Sequence, residues 1–273
     1  MVQPRRIFGW AFLLGLVVTP LPCLASEVTP TPTAGLSAAD AALVAKVNGL
    51  YYDYRRLGLH QFKCEVKLSV LNDYLQQLKA RSEKDPRYLA LKDVRFLLSY
   101  DEKEGMKFAI TRYKPTGDAK KDAELDKFLD GTKQLVGMFW DNWYGPTFDP
   151  MIGTGDVTVK KTAKGYEITE SHGTHLCTNI MDSDLRVSEV DIRYPKGQGE
   201  DTTLEPKFTQ TFDGWLMNDL TVTIPDKLLE TFTISYQDVS KYQLPSVCYF
   251  GFDSKGAMRR SFFTLEFSDY RLN

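Results

Sequence analysis

Between residues 62 and 70 the chain alternates strictly: Phe62, Cys64, Val66, Leu68 and Val70 are apolar, while Lys63, Glu65, Lys67 and Ser69 are polar. A period of two with one dry face predicts a half-buried strand. Upstream the period is helical. Ser37 and Asp40 are capping residues, and Ala41, Val44, Val47, Leu50, Tyr51 and Tyr54 share one stripe as far as Gly58, predicting a helix of about five turns. Leu71, Leu75 and Leu78 resume helical spacing. After Asp85-Pro86 a short irregular or helical passage leads to a strand over 94–100, and the polar turn Asp101 to Gly105 returns the chain as a strand over 106–113.

The bulkiest helical stripe follows. From Lys120 onward Leu125, Phe128, Leu129, Leu135, Val136, Phe139, Trp140 and Trp143 lie on one face, with Lys121, Glu124, Lys127, Asp130 and Lys133 opposite. Gly145-Pro146 is expected to end this helix, and Pro150, Gly153 and Gly155 to loop the chain back to β-structure. Thereafter the pattern predicts strands over 156–161, 166–171, 174–180, 185–194, 206–212, 216–224, 231–239, 242–252 and 257–270. The turns between them carry their own chemistry: Lys164-Gly165, Met181-Asp182-Ser183-Asp184, Asp213-Gly214 and Asp253-Ser254-Lys255-Gly256.

A dozen sequential antiparallel strands accumulate twist and must curl, split or close. A solid sandwich satisfies the alternation as well. The length of the strands at 231–239 and 257–270, and a helix with aromatic bulk fit to span an open mouth, favour an α+β fold: a strongly curved, unclosed antiparallel barrel of about 11–12 strands with helices capping its concave face. Such a groove leaves apolar wall for a greasy ligand. A buried methylene contributes about 0.8 kcal/mol, so a sixteen-carbon acyl chain gains roughly 12 kcal/mol before ordering costs. The expected wall is Phe62, Val66, Leu98, Phe108, Ile110, Phe128, Phe139, Trp140 and Trp143. The plainer alternative for the same stripe is that Phe139, Trp140 and Trp143 simply plug the core.

Composition adds mainly exclusions. Lys and Arg total 34 against 36 Asp and Glu, so no strong positive field exists to hold nucleic acid. At the start, Arg5 and Arg6 precede an apolar run from Ile7 to Val18, and Cys23-Leu24-Ala25-Ser26 supplies small residues for cleavage after Ala25. The run is shorter than the roughly 20 residues that span a membrane. The expectation is a signal peptide over 1–25, export to the periplasm, a flexible leader over 26–36 and one domain over 37–273. Cleavage removes Arg5 and Arg6 and takes the formal charge from -2 to -4. A lipid anchor on Cys23 is disfavoured by Pro22 before it, and Arg5-Arg6-Ile7-Phe8 only faintly matches a twin-arginine signal. Cys64, Cys177 and Cys248 then face an oxidising compartment, where one bridge and one leftover thiol are allowed.

No Gly-x-Ser-x-Gly elbow, phosphate-binding loop or His-Glu-x-x-His motif occurs, and the chain has 3 histidines in all. His172, His175 and Cys177 are the one metal-like cluster, but on a strand 172 and 175 point to opposite faces unless Gly173 turns the chain. Asp182 and Asp184 flank Ser183 as turn residues do. No enzyme and no cofactor are expected.

Tyr236-Gln237-Asp238-Val239, Tyr242-Gln243-Leu244-Pro245-Ser246 and the closing Ser268-Asp269-Tyr270-Arg271-Leu272-Asn273 resemble the last strands of the LolA-like outer-membrane lipoprotein carriers. The first helix leading into Gln61-Phe62-Lys63-Cys64-Glu65-Val66 is similar to the start of that superfamily. The resemblance implies an unclosed barrel, helices across its mouth, and acyl chains or lipidated proteins as partners, held by a monomer that meets a membrane-bound delivery partner. It departs at Thr111-Arg112-Tyr113-Lys114-Pro115, where the family's Arg-Pro and Arg-Trp pairs are only echoed and Arg112 is the candidate polar latch. The helix from Lys120 to Trp143 is also longer than in the plain carrier, which implies a specialised relative. The rival expectation is a periplasmic regulatory module that senses lipoproteins and contacts a partner protein; the lack of a second domain after Asn273 counts against it.

Overall fold

The computed structural model of the protein describes residues 36–153, 156–254 and 261–272. The expected signal peptide, the leader up to residue 35 and residues 255–260, which include parts of the last expected turn and strand, lie outside the described residues.

Helix α1 (Ala38–Leu50) starts where expected, with the Ser37 hydroxyl accepting the Asp40 N–H, but it ends one residue before Tyr51, whose backbone is extended. The reason is tertiary. Tyr51 forms a parallel bridge with Trp215, and the Tyr52 N–H donates to the Trp215 carbonyl. Tyr51, Tyr52 and Tyr54 are therefore buried from a loop rather than from a helix face. β1 (Gln61–Leu68) has the expected alternation, and Ser69 opens α2 (Ser69–Arg81) instead of ending the strand. The Ser69 hydroxyl accepts the Thr264 N–H at 2.9 Å. The short α3 (Pro86–Leu91) begins with Pro86 in its first turn behind the cap Asp85. β2 (Arg95–Asp101) and β3 (Gly105–Thr111) form the expected hairpin.

α4 (Ala119–Phe148) is 30 residues long and runs through Gly145-Pro146 rather than stopping there. Proline removes one helix donor, and the last turn is held by other bonds. The Thr147 hydroxyl donates to the Trp143 carbonyl at 2.6 Å, the Asp149 N–H to Gly145, and the Tyr54 N–H to the Thr147 carbonyl at 2.9 Å.

The remaining strands are β4 (Asp156–Lys161), β5 (Gly165–Ser171), β6 (Leu176–Asp182), β7 (Val187–Arg193), β8 (Thr202–Thr211), β9 (Gly214–Ile224), β10 (Leu228–Val239), β11 (Tyr242–Ser254) and β12 (Ser261–Leu272). β8 begins four residues earlier than the pattern predicts, because Pro206 is tolerated inside it. The ladder to β7 stops at Leu204, two residues before the proline.

All twelve strands belong to one antiparallel sheet in the order β3-β2-β1-β12-β11-β10-β9-β8-β7-β6-β5-β4. The sheet is an open meander whose edges are β3 and β4, and its first and last strands are neighbours, with Phe62 opposite Leu272. One face is dry. The main apolar cluster joins β1, β2 and β8–β12 to α4, while a second joins Val47 and Tyr51 to Ile152, Ile168, Met181, Leu185 and Val187. Four adjacent strands reach the same short stretch of α4, since Tyr100, Phe62, Phe267 and Phe250 all touch Phe139 or Trp140. A flat sheet would carry its outer strands away from one helix; this one bends round it.

Candidate functional site

The inner face of the sheet and α4 define the candidate site. Asp118 caps α4 by accepting the N–H groups of Lys120 and Lys121. The helix's first half rests on other helices: the Phe128 ring packs at a tilt on Tyr74 of α2 at 4.8 Å, and Arg87 of α3 reaches Glu124 at 3.5 Å. Its second half rests on the sheet. Phe139 lies 4.7 Å from Phe267 and 5.5 Å from Trp143, and Trp140 lies 5.4 Å from Tyr100.

Of the wall residues expected from periodicity, Phe62, Val66, Leu98, Phe139, Trp140 and Trp143 are brought together in the main cluster, each at most 7% exposed. Phe108 and Ile110 are half-buried on the edge strand β3, where Phe108 stacks on Phe96 at 5.6 Å. Phe128 packs against α2 and is not part of the sheet-facing wall. At the aromatic residues the helix's own rings pack against the strands.

Arg112, the candidate latch, makes no contact with the helix through a side-chain hydrogen bond or ion pair among the described residues. It is exposed, at φ 61°. The arginine that does hold the helix is Arg55, in the loop after α1. Its Nη1 donates to Asp149 Oδ1 at 2.9 Å, its Nη2 donates to the Tyr144 hydroxyl, and its Nε lies 4.0 Å from Glu102. Burial pushes the Asp149 carboxyl up to about 6, and Arg55 offsets only part of that shift.

A second tether follows α4. The Gly153 N–H donates to Glu170 Oε2 at 2.7 Å, and Asn179 donates to the other oxygen at 3.3 Å. Burial pushes Glu170 up to about 7 despite both bonds. Beside it, Gly173 (φ 72°) makes the turn that strand parity alone does not give, so the His172 and His175 rings stack 5.0 Å apart instead of pointing to opposite faces. His172 Nε2 is 3.8 Å from Glu170, and burial lowers both histidines. Stacked rings do not converge on a point, and among the described residues no three His, Cys, Asp or Glu groups are placed to hold a metal. Asp182 organises its turn, accepting the N–H groups of Asp184 and Arg186 at 2.9 and 3.0 Å. Cys64, Cys177 and Cys248 are all buried, and burial pushes the Cys64 thiol up to about 12.

A surface recess of about 410 Å³ lies between the end of α1 and the β8–β9 turn, beside the fully exposed Phe212. Its Arg56 is spent on the carbonyls of Gly49, Tyr51 and Asp213.

The residue that pattern reading missed is Glu230. It faces inward from β10 between Leu228 and Phe232, is 1% exposed, and its Oε1 has no partner. Burial alone pushes it up to about 7. No helix among the described residues is long and apolar enough to cross a membrane. Comparison of the chain with protein-family models, with curated proteins and with solved structures returns no match.

Proposed function

We propose that the protein is an exported periplasmic binding or carrier protein that holds an acyl chain, free or on a lipidated polypeptide, between the inner face of the sheet and α4. The observation that carries this reading is that one helix supplies the side chains that fill the sheet's hollow. Phe139, Trp140 and Trp143 act as stand-ins for a ligand, and moving one element vacates the space they occupy. Polar attachments of that helix to its surroundings lie near its ends, at Arg87, Arg55 and the Tyr54 N–H, and Glu170 ties the loop that follows it. The open antiparallel sheet with helices on its inner face fits the likeness to LolA-like carriers, and the length of α4 remains a departure from it.

The energetics set a threshold. Exposing three large aromatic side chains costs about 2–3 kcal/mol each, whereas a buried methylene returns about 0.8 kcal/mol. A chain of about eight carbons therefore cannot open the site, and one of about sixteen can.

The test is organic extraction of the purified protein with mass spectrometry, joined to titration with a neutral polarity-sensitive fluorescent probe. A co-purifying acyl lipid and saturable probe binding are expected, with faster uptake in Arg55→Ala. Absence of lipid together with no saturable binding in either protein rejects the reading. Capture of a stoichiometric protein partner without lipid points instead to the regulatory module.

A further inference from the structure

Two buried glutamates stand on the inner face, and only one of them is satisfied. Glu170 accepts from Gly153 and Asn179, so its carboxylate ties a loop to the sheet. Glu230 has no such duty. Its cross-strand neighbours are Val222 on β9 and Phe252 on β11, and the next inward residue on its own strand is Phe232. No lysine, arginine or histidine among the described residues pairs with it, and burial is the sole cause of its raised pKa. An unpartnered carboxylate at 1% exposure costs several kcal/mol against an apolar residue of similar size. Nothing in the packing of β10 requires it, since Leu228, Phe232 and Ile234 continue the apolar face on either side.

The surroundings define what completes it. Phe232 lies 4.6 Å from Phe250, which stacks on Phe263 at 4.5 Å, so an aromatic surface leads away from Glu230 towards Phe139 of α4. A hydrocarbon chain suits that surface. At its end a group is needed that both donates hydrogen bonds and compensates charge, because the described residues of the wall contribute no cation. An ammonium does both with three N–H donors, and the half-buried ring of Phe252 favours a cation on its face. A hydroxyl supplies a donor without charge, and a carboxylate or phosphate is repelled.

We propose that Glu230 recognises the polar end of the bound molecule and selects amphiphiles bearing a primary ammonium on an alkyl chain. This rests on the reading that the inner face binds an acyl-type chain, and it adds the chemistry of the other end.

The experiment is displacement of a neutral polarity-sensitive probe from the full chain by tetradecylamine, 1-tetradecanol and tetradecanoate, all below their micelle concentrations. In the wild type the amine displaces the probe at a concentration at least about tenfold below that of the alcohol, with tetradecanoate weakest. Glu230→Gln and Glu230→Leu bring the amine to within about threefold of the alcohol. The readout is the amine-to-alcohol ratio within each protein, so a change in overall folding does not mimic it. If alcohol and probe bind but the amine shows no advantage, or its advantage survives both substitutions, the assignment of Glu230 is overturned and the acyl-binding reading stands. If no alkyl compound displaces the probe and the probe itself does not bind, the acyl-binding reading fails and takes this one with it.

Discussion

Glu230 and Arg55 carry the specific chemistry of this fold, and neither stands out in the sequence. Arg55 is one of two adjacent loop arginines, and nothing in Tyr54-Arg55-Arg56-Leu57 marks which one holds a helix that begins more than sixty residues later. Glu230 lies just before the strand predicted from 231, because a pattern rule treats a carboxylate between Leu228 and Phe232 as a break rather than an inward-facing rung. The aromatic wall was legible, since Phe62, Phe139, Trp140 and Trp143 follow the periods of their elements. Titration checks Glu230 directly. The folded protein keeps a proton up to about 7 that the unfolded chain releases near the ordinary 4.5. Its stabilising contribution is thus complete below pH 4.5 and lost as pH rises to about 7. Urea unfolding of Glu230→Gln against wild type should show a small difference at pH 4.5 and favour the variant by up to about 3 kcal/mol at pH 8. Glu170 titrates in the same window in both proteins and cancels in the difference. Arg55→Ala leaves Asp149 without its cation. With the Arg55 side chain 35% exposed, a loss of about 1–2 kcal/mol is expected by chemical denaturation, less than for a fully buried pair.

At the level of elements, the pattern located the twelve described strands, most plainly those such as β1 and β2 with one wet and one dry face, whereas helix ends were misplaced where a tertiary contact overrode local preference. Tyr51 leaves α1 for the bridge to Trp215, and α4 tolerates Pro146 because Thr147 and Asp149 close its last turn. Gly214 makes the first of these contacts feasible. At φ 133° it sits so close to the end of α1 that an added Cβ meets the Leu50 carbonyl oxygen at 2.7 Å and the Tyr51 carbonyl carbon at 2.8 Å. Gly214→Ala is expected to cost about 2 kcal/mol or more and to weaken the packing of Tyr51 on Phe208 and Trp215, read by thermal unfolding and near-ultraviolet circular dichroism. Trp143→Ala, which empties the place where α4 meets Phe62, Tyr54 and Phe148, should cost about 3–5 kcal/mol in the same assay.

Across the whole molecule the proposed function makes the sheet a frame and α4 its moving part, and two measurements separate them. Hydrogen exchange is expected to be faster in the amides of α4 than in the β10–β11 ladder, whose register runs from Leu228 opposite Ser254 to Val239 opposite Tyr242. Affinity for neutral alkyl chains should rise about fifteenfold for each two methylenes once the opening cost is met, with octyl compounds inert. Equal exchange in helix and ladder, or affinity that ignores length, contradicts a displaceable helix. The pairing of β1 with β12 also dictates the timetable of synthesis. Phe62 and Leu272 stand about 200 residues apart in the chain yet side by side in the sheet. As the polypeptide leaves the ribosome, the three-stranded unit β3-β2-β1 therefore keeps its β1 edge unpaired until about 200 further residues have been added, and the sheet cannot be joined across that edge before β12 has been made.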